Sequence, residues 1–179
     1  MYVLGGGEFV KFFVGCEFEE FRRYLERAGR YREEGELDWL ETFLREGLLN
    51  LIVWRKDGEI IGDAIWHESN TEEHRKGDPR DEEDREALRR LLGGRKRDFI
   101  ELHEVWLLEE HRGKGYGTKF FEFFEEYMRN KGYDGIVFYA HHPAALAICR
   151  KRGYKEGGLI DIEGTVEHVF YLPLKKNLR

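Results

Sequence analysis

Two groups of residues in this chain have the types and spacing to do chemistry. The first is Arg112-Gly113-Lys114-Gly115-Tyr116-Gly117, followed by Thr118. It separates a strand-like run, 99–108, from an aromatic amphipathic helix expected over 115–131. Glycines at alternate positions let the backbone turn sharply and approach a ligand closely. A helix opening there adds first-turn N–H groups without partners in their own helix, and the positive end of its dipole. Together these make an anion site suited to a pyrophosphate. Other phosphate loops fail on spacing. Gly113, Gly115 and Gly117 give G-x-G-x-G where a dinucleotide fold needs G-x-G-x-x-G, and the Gly-Lys-Ser/Thr of a Walker A loop is absent.

The second group is Glu101, His103 and Glu104, on the strand that enters the turn. Strand alternation puts Glu101 and His103 on one face and Glu104 on the other. Each could accept a proton; a histidine does so near neutrality without a large pKa shift. Each could equally be an edge-strand polar residue or a hydrogen-bonding partner inside the fold. The seven histidines show no metal-ligand spacing. His141 and His142 are adjacent and point apart, and neither H-E-x-x-H nor a paired C-x-x-C occurs. No metal is therefore expected. Cys16 and Cys149 make no disulfide framework.

The elements that must position these residues are legible in the periodicity. A first strand is expected over 8–15, then an amphipathic helix over 17–28 ended by Gly29, and a second helix over 36–46. A buried strand follows at 48–54, with Asp57-Gly58 turning it into a return strand at 59–68. The stretch 72–98 holds nine acidic and nine basic residues. Within it, 81–92 has acids early and arginines late, matching a helix dipole, and Leu88, Leu91 and Leu92 give it one apolar stripe. This charged helix reads either as a solvated surface excursion or as a lid, acceptor-recognition arm or dimer contact. After the glycine turn come the aromatic helix, a short strand at 135–140, a helix from Pro143, and closing strands at 159–162 and 166–174. Phe120, Phe121, Phe123, Phe124, Tyr127 and Met128 read as the buried face of the aromatic helix.

Two blocks resemble the GNAT superfamily of N-acetyltransferases. Arg112 to Gly117 fits its Arg/Gln-x-x-Gly-x-Gly/Ala signature at every fixed position. The second block, beginning His142-Pro143-Ala144-Ala145 and ending Gly153-Tyr154, is similar to Asn-Pro-x-Ala-x-x-x-Tyr-x-x-x-Gly-Phe. His142 stands for Asn, Cys149 for Tyr and Tyr154 for Phe. The close resemblance spans 101–154. It implies an α/β fold: a twisted mixed sheet of about seven strands flanked by about four helices, with the charged helix inserted between the third and fourth strands. It implies one domain over 1–179 with an insertion at about 72–98. It implies acetyl-CoA as co-substrate, with the pyrophosphate at Arg112, Gly113, Lys114, Gly115, Tyr116, Gly117 and Thr118. The backbone of Val105 and Leu107 would pair with the pantetheine amides, and His142 and Ala145 would lie along that arm. A carboxylate on the entering strand serves as base in several members, which again points to Glu101 or Glu104, with His103 beside them. The usual acid is a tyrosine at the position of Cys149; Tyr139 or water are the other choices.

Composition bounds the rest. At 179 residues and 41% hydrophobic, the chain can bury a sizeable core as one domain. A net charge of −6 argues against a nucleic-acid binder and suits a cationic amine. No apolar run reaches membrane-spanning length and the first residues do not read as a signal peptide, so a cytoplasmic protein is expected. The acceptor is expected to be a small-molecule or peptide amine, and a homodimer is compatible with the pattern. A non-catalytic acyl-CoA-binding module and a transferase using another acyl-CoA remain as alternatives.

Overall fold

The computed structural model describes residues 9–94 and 99–175. In chain order the elements are β1 (Lys11–Val14), α1 (Phe18–Ala28), α2 (Glu36–Arg45), β2 (Asn50–Lys56), β3 (Glu59–Ser69), β4 (Glu73–Arg75), β5 (Asp78–Pro79), α3 (Glu82–Leu91) and β6 (Phe99–Leu107). A 3₁₀ turn (Glu109–His111) precedes α4 (Tyr116–Lys131), β7 (Gly135–Ala140), α5 (Pro143–Lys151), β8 (Lys155–Ile162) and β9 (Thr165–Pro173). Seven strands form one sheet in the order β1-β2-β3-β6-β7-β9-β8. β6 and β7 run parallel, while β1–β2, β7–β9 and β8–β9 are antiparallel, so the sheet is mixed as expected.

Two differences from the sequence reading are local. The charged stretch contains a small hairpin, β4 with β5, ahead of its helix. Lys76-Gly77 makes that turn, with Gly77 at φ 82°, a signal masked by the surrounding charges. β8 starts four residues earlier than the apolar pattern suggests because its first half, Lys-Glu-Gly-Gly, carries little hydrophobicity. The expected first strand begins at Glu8, and the charged stretch ends at 95–98; these positions lie outside the described residues.

The chain forms two compact units, Met1–Ile65 with Glu104–Tyr116, and Trp66–His103 with Gly117–Arg179. In the first, Phe21, Tyr24 and Leu25 of α1 and Leu40 of α2 pack with Leu51 and Val53 of β2 and Ile60 and Ile65 of β3. α1 ends in a left-handed Gly29, φ 68°. The Gly29 and Arg30 N–H groups bond back to Glu26 and Leu25 carbonyls at 3.1 and 3.0 Å, the reciprocal pattern that only a residue tolerant of positive φ closes well. This stop fixes where Arg30 and Tyr31 leave the helix.

In the second unit Ala87, Leu88 and Leu92, at the C-terminal end of α3, pack with Phe99 of β6, Val137 of β7, Ile160 of β8 and Val169 and Tyr171 of β9. The stripe read in the sequence is therefore core. Fully burying one such leucine contributes roughly 1.5–3 kcal/mol. Asp81 caps α3 by accepting from the Asp84 N–H at 3.0 Å. On α4, Phe120, Phe121, Phe124 and Met128 are buried, whereas Phe123 and Tyr127 are half-buried and stack on each other at 5.8 Å. Glu125 of α4 takes a two-pronged ion pair from Arg152, at 2.7 and 2.9 Å, tying α4 to the end of α5. Among the described residues no helix is long and apolar enough to cross a membrane.

Candidate active site

The glycine turn has the backbone its sequence requires. Arg112 is extended, Gly113 and Gly115 take φ 75° and 81°, and α4 opens at Tyr116. Nothing lies within 4 Å of where a Cβ would sit on Gly113 or Gly115, so those glycines serve conformation and not packing. Gly117 serves packing: a Cβ there would meet Ile148 Cδ1 at 3.0 Å, so its absence lets α4 and α5 lie close. Arg112 is fixed by its own neighbours. Its Nε donates to the Leu107 carbonyl at 2.9 Å, and its guanidinium lies 5.1 Å from the Trp106 ring, which Arg30 also meets at 4.8 Å.

The helix starts carry a second signal. α1, α2 and α3 each have acidic residues in the first turn; α4 and α5 have none. An acid there stabilises a helix but repels an anion. The two helices without one are those the motifs assign to the coenzyme. His142 caps α5, its Nδ1 accepting from the Ala144 N–H at 3.2 Å. It thus does at the helix start what an asparagine would do, while Ala145 sits in the first turn, half-buried.

In the second unit, Glu101 and His103 meet partners that sequence spacing does not reveal. Glu101 is buried. Its Oε2 lies 3.0 Å from His67 Nε2, and its Oε1 lies 3.1 Å from Arg80 Nη2 and 3.2 Å from His74 Nδ1. Burial pushes the Glu101 pKa up, but hydrogen bonds from His67 and His74 and the Arg80 charge outweigh it and hold the carboxyl well below its ordinary range. Glu101 is thus a fixed anion, poorly suited to taking a proton. His103 is exposed at the rim of this cluster, its ring 5.8 Å from that of His67. Protein atoms crowd around its accessible edge, and that desolvation above all pushes its pKa down to about 4. At neutral pH it is an uncharged imidazole with a lone pair to offer.

Arg80 organises the cluster. Its side chain is fully buried in the connection between β5 and α3. Besides Glu101 it donates to Asp84 Oδ2, the Tyr139 hydroxyl, Ser69 Oγ and the Asn70 carbonyl, at 2.9, 2.9, 2.5 and 2.8 Å. The charged stretch is therefore not a solvated excursion. It contributes His74, Arg80 and Asp84 to the surroundings of Glu101.

In the first unit, Glu104 has a different environment, as strand alternation requires. It accepts from the Tyr31 hydroxyl at 2.5 Å and pairs with Arg30, which also binds the buried Asp63. Tyr31 holds φ 56°, an uncommon conformation for a bulky residue. Glu104 is engaged as an ion-pair partner. The two candidate acids are no freer. Cys149 is fully buried, and burial, with the nearby Glu125 and Glu156 charges, pushes its thiol up to about 12. The Tyr139 hydroxyl donates to Asp84 Oδ1 at 2.6 Å, and burial with the surrounding carboxylates pushes its pKa far up. Both hold their protons too firmly to act as ready donors.

The model of the Acetyltransferase (GNAT) family matches residues 13–154, and the chain belongs to that family. No curated protein sequence matches it. Among solved structures, a GNAT superfamily phosphinothricin acetyltransferase from Sinorhizobium meliloti, in complex with AcCoA, is 17% identical, with a TM-score of 0.62 over 92% of this chain and 88% of that one. YhbS from Escherichia coli, in complex with CoA, is 14% identical, TM-score 0.62, over 97% and 86%. The protein yncA from Salmonella typhimurium, with its cofactor acetyl-CoA, is 15% identical, TM-score 0.60, over 95% and 96%. At these identities the likeness is one of fold.

Proposed function

We propose that this chain transfers acetyl from acetyl-CoA to the nitrogen of a primary amine by direct attack in a ternary complex. The observation that carries the reading is the acid-free start of α4 behind the Arg112–Gly117 turn, in a chain of the GNAT family. That turn binds the pyrophosphate through backbone N–H groups and the helix end. The Val105 and Leu107 backbone pairs the pantetheine amides, and the start of α5, with His142 and Ala145, lies along the arm. The acceptor is a small-molecule or peptide amine, favoured in its approach by the chain's net charge of −6.

The neutral amine nitrogen attacks the thioester carbonyl carbon. The C–N bond forms, the tetrahedral intermediate collapses, the C–S bond breaks and the CoA thiolate departs. The proton on the attacking nitrogen passes through the exposed lone pair of His103 straight on to water, since a ring held near 4 relays a proton and does not keep it. Water protonates the departing thiolate, since Cys149 and Tyr139 keep their protons.

The test is acetyl-CoA turnover with a panel of amines, read as free thiol and as acetylated product by mass. Release of thiol with one amine product supports the reading. A chain that binds acetyl-CoA and acetylates nothing in the panel, or that transfers only a different acyl group, refutes it.

A further inference from the structure

The surroundings of His67 have an unbalanced proton count. Its ring is buried, and Nδ1 lies 3.0 Å from the Glu68 carbonyl oxygen, which can only accept, so Nδ1 carries a hydrogen. A neutral imidazole then has a bare lone pair at Nε2. That nitrogen faces Glu101 Oε2, another acceptor, at 3.0 Å. Something positive must lie between them: a second proton on the ring or a cation. Glu101 Oε1 is already occupied by Arg80 and His74, so Oε2 is the oxygen turned toward the gap.

A third ligand is in reach. One ligand atom each from His67, Glu101 and His103 lies within 4.8 Å of the other two. Adjacent ligands around an ion at about 2.1 Å stand roughly 3.0–3.4 Å apart. The His67–Glu101 separation already meets this, and exposed His103 closes the remainder by turning its ring. The supporting contacts are those that metal sites use: the Glu68 carbonyl fixes the His67 tautomer, and Arg80 and His74 hold the carboxylate.

The geometry points to a divalent transition-metal site formed by His67 Nε2, Glu101 Oε2 and the His103 ring. Two imidazoles and one carboxylate favour Zn²⁺, Co²⁺ or Fe²⁺ over Mg²⁺ or Ca²⁺, which prefer all-oxygen shells. The three ligands leave coordination positions for water or another ligand. Metal binding stands independently of the acetyl-transfer reading. Its consequence for turnover rests on that reading: an ion on His103 takes the lone pair that accepts the amine proton, so the metal-bound form does not turn over.

The experiment uses the full chain, stripped with chelator and titrated with Zn²⁺ and with Co²⁺ against a chromophoric competitor. One equivalent per chain is expected, with Mg²⁺ and Ca²⁺ failing to compete. His67→Ala and His103→Ala should each weaken Zn²⁺ binding at least about tenfold, and His141→Ala should not. His103 is exposed, so its variant keeps the fold, and circular dichroism checks the variant at buried His67. No uptake by the parent chain, or uptake unchanged in His103→Ala, overturns the site. A separate arm measures acetyl transfer. Zn²⁺ should inhibit with a midpoint matching its affinity, reversibly by chelator. Binding without inhibition leaves the site standing and refutes His103 as proton acceptor.

Discussion

The Arg80 guanidinium, with no side-chain exposure, lies 3.1 Å from Glu101 Oε1, so a residue of the charged stretch neutralises a carboxylate on β6. It also binds Asp84 and Tyr139. Removing one member of a buried ionic network leaves its partners desolvated and unpaired, at a cost of about 3–5 kcal/mol. Arg80→Ala should lose that much in denaturant unfolding and lower Tm by roughly 10 °C. Arg80→Lys keeps a charge but loses the fork, and should fall between the two. An Arg80→Ala chain as stable as the parent would show that the network adds nothing.

At the start of α4, Thr118→Glu separates helix stability from anion binding. A carboxylate in the first turn complements the dipole, worth about 0.3–1 kcal/mol, so Tm should hold or rise. The same charge repels a pyrophosphate, so acetyl-CoA affinity by calorimetry should fall at least about tenfold. Gly115→Asp is the harsher companion, because it forces a side chain into φ 81°. Unchanged coenzyme affinity in a folded Thr118→Glu chain would remove the pyrophosphate from this turn.

Trp106 lies against both Arg30 and Arg112. At an accessible site each such cation–π contact is worth about 0.5–1 kcal/mol. Trp106→Ala frees Arg112 to leave the turn, and the KM for acetyl-CoA should rise about two- to fivefold with kcat little changed. A fall in kcat at constant KM would mean that Trp106 acts on the chemistry.

What the sequence made legible was local. The glycine turn, the α1 stop at Gly29, the α3 stripe and the opposite facing of Glu101 and Glu104 all follow from spacings within one element. Each depends on φ preference or on a period of 3.6 or 2, which neighbouring residues carry. The partners of Glu101 were not legible. His67 lies on β3, His74 on β4 and Arg80 beyond β5. Their convergence depends on strand register and on the path of the charged stretch, and one sequence records neither. The same limit affects the obvious deletion test. Replacing 72–98 with a short loop would remove buried Leu88 and Arg80, so it would report unfolding before acceptor choice.

Cys149 lies where the family keeps a tyrosine, and the final prediction concerns its proton. The thiol's ordinary value is 9.0, and in the folded chain it is about 12. Between pH 9 and 12 the unfolded chain releases this proton while the folded chain keeps it, so unfolding is increasingly favoured as pH rises. The stability from the buried neutral thiol is complete below pH 9 and is lost as pH climbs toward 12, at up to about 1.4 kcal/mol per pH unit. Cys149→Ala should therefore flatten the alkaline side of the stability curve. The same firm hold on the proton makes the thiol a poor acid for the departing CoA, so kcat across pH 6–10 should keep its shape in the variant, to within about twofold. Alkylation by iodoacetamide at pH 8 should likewise spare Cys149 in the folded chain, since the thiolate is the reactive form. A kcat that collapses in folded Cys149→Ala, together with loss of the alkaline limb, would make this thiol the acid after all.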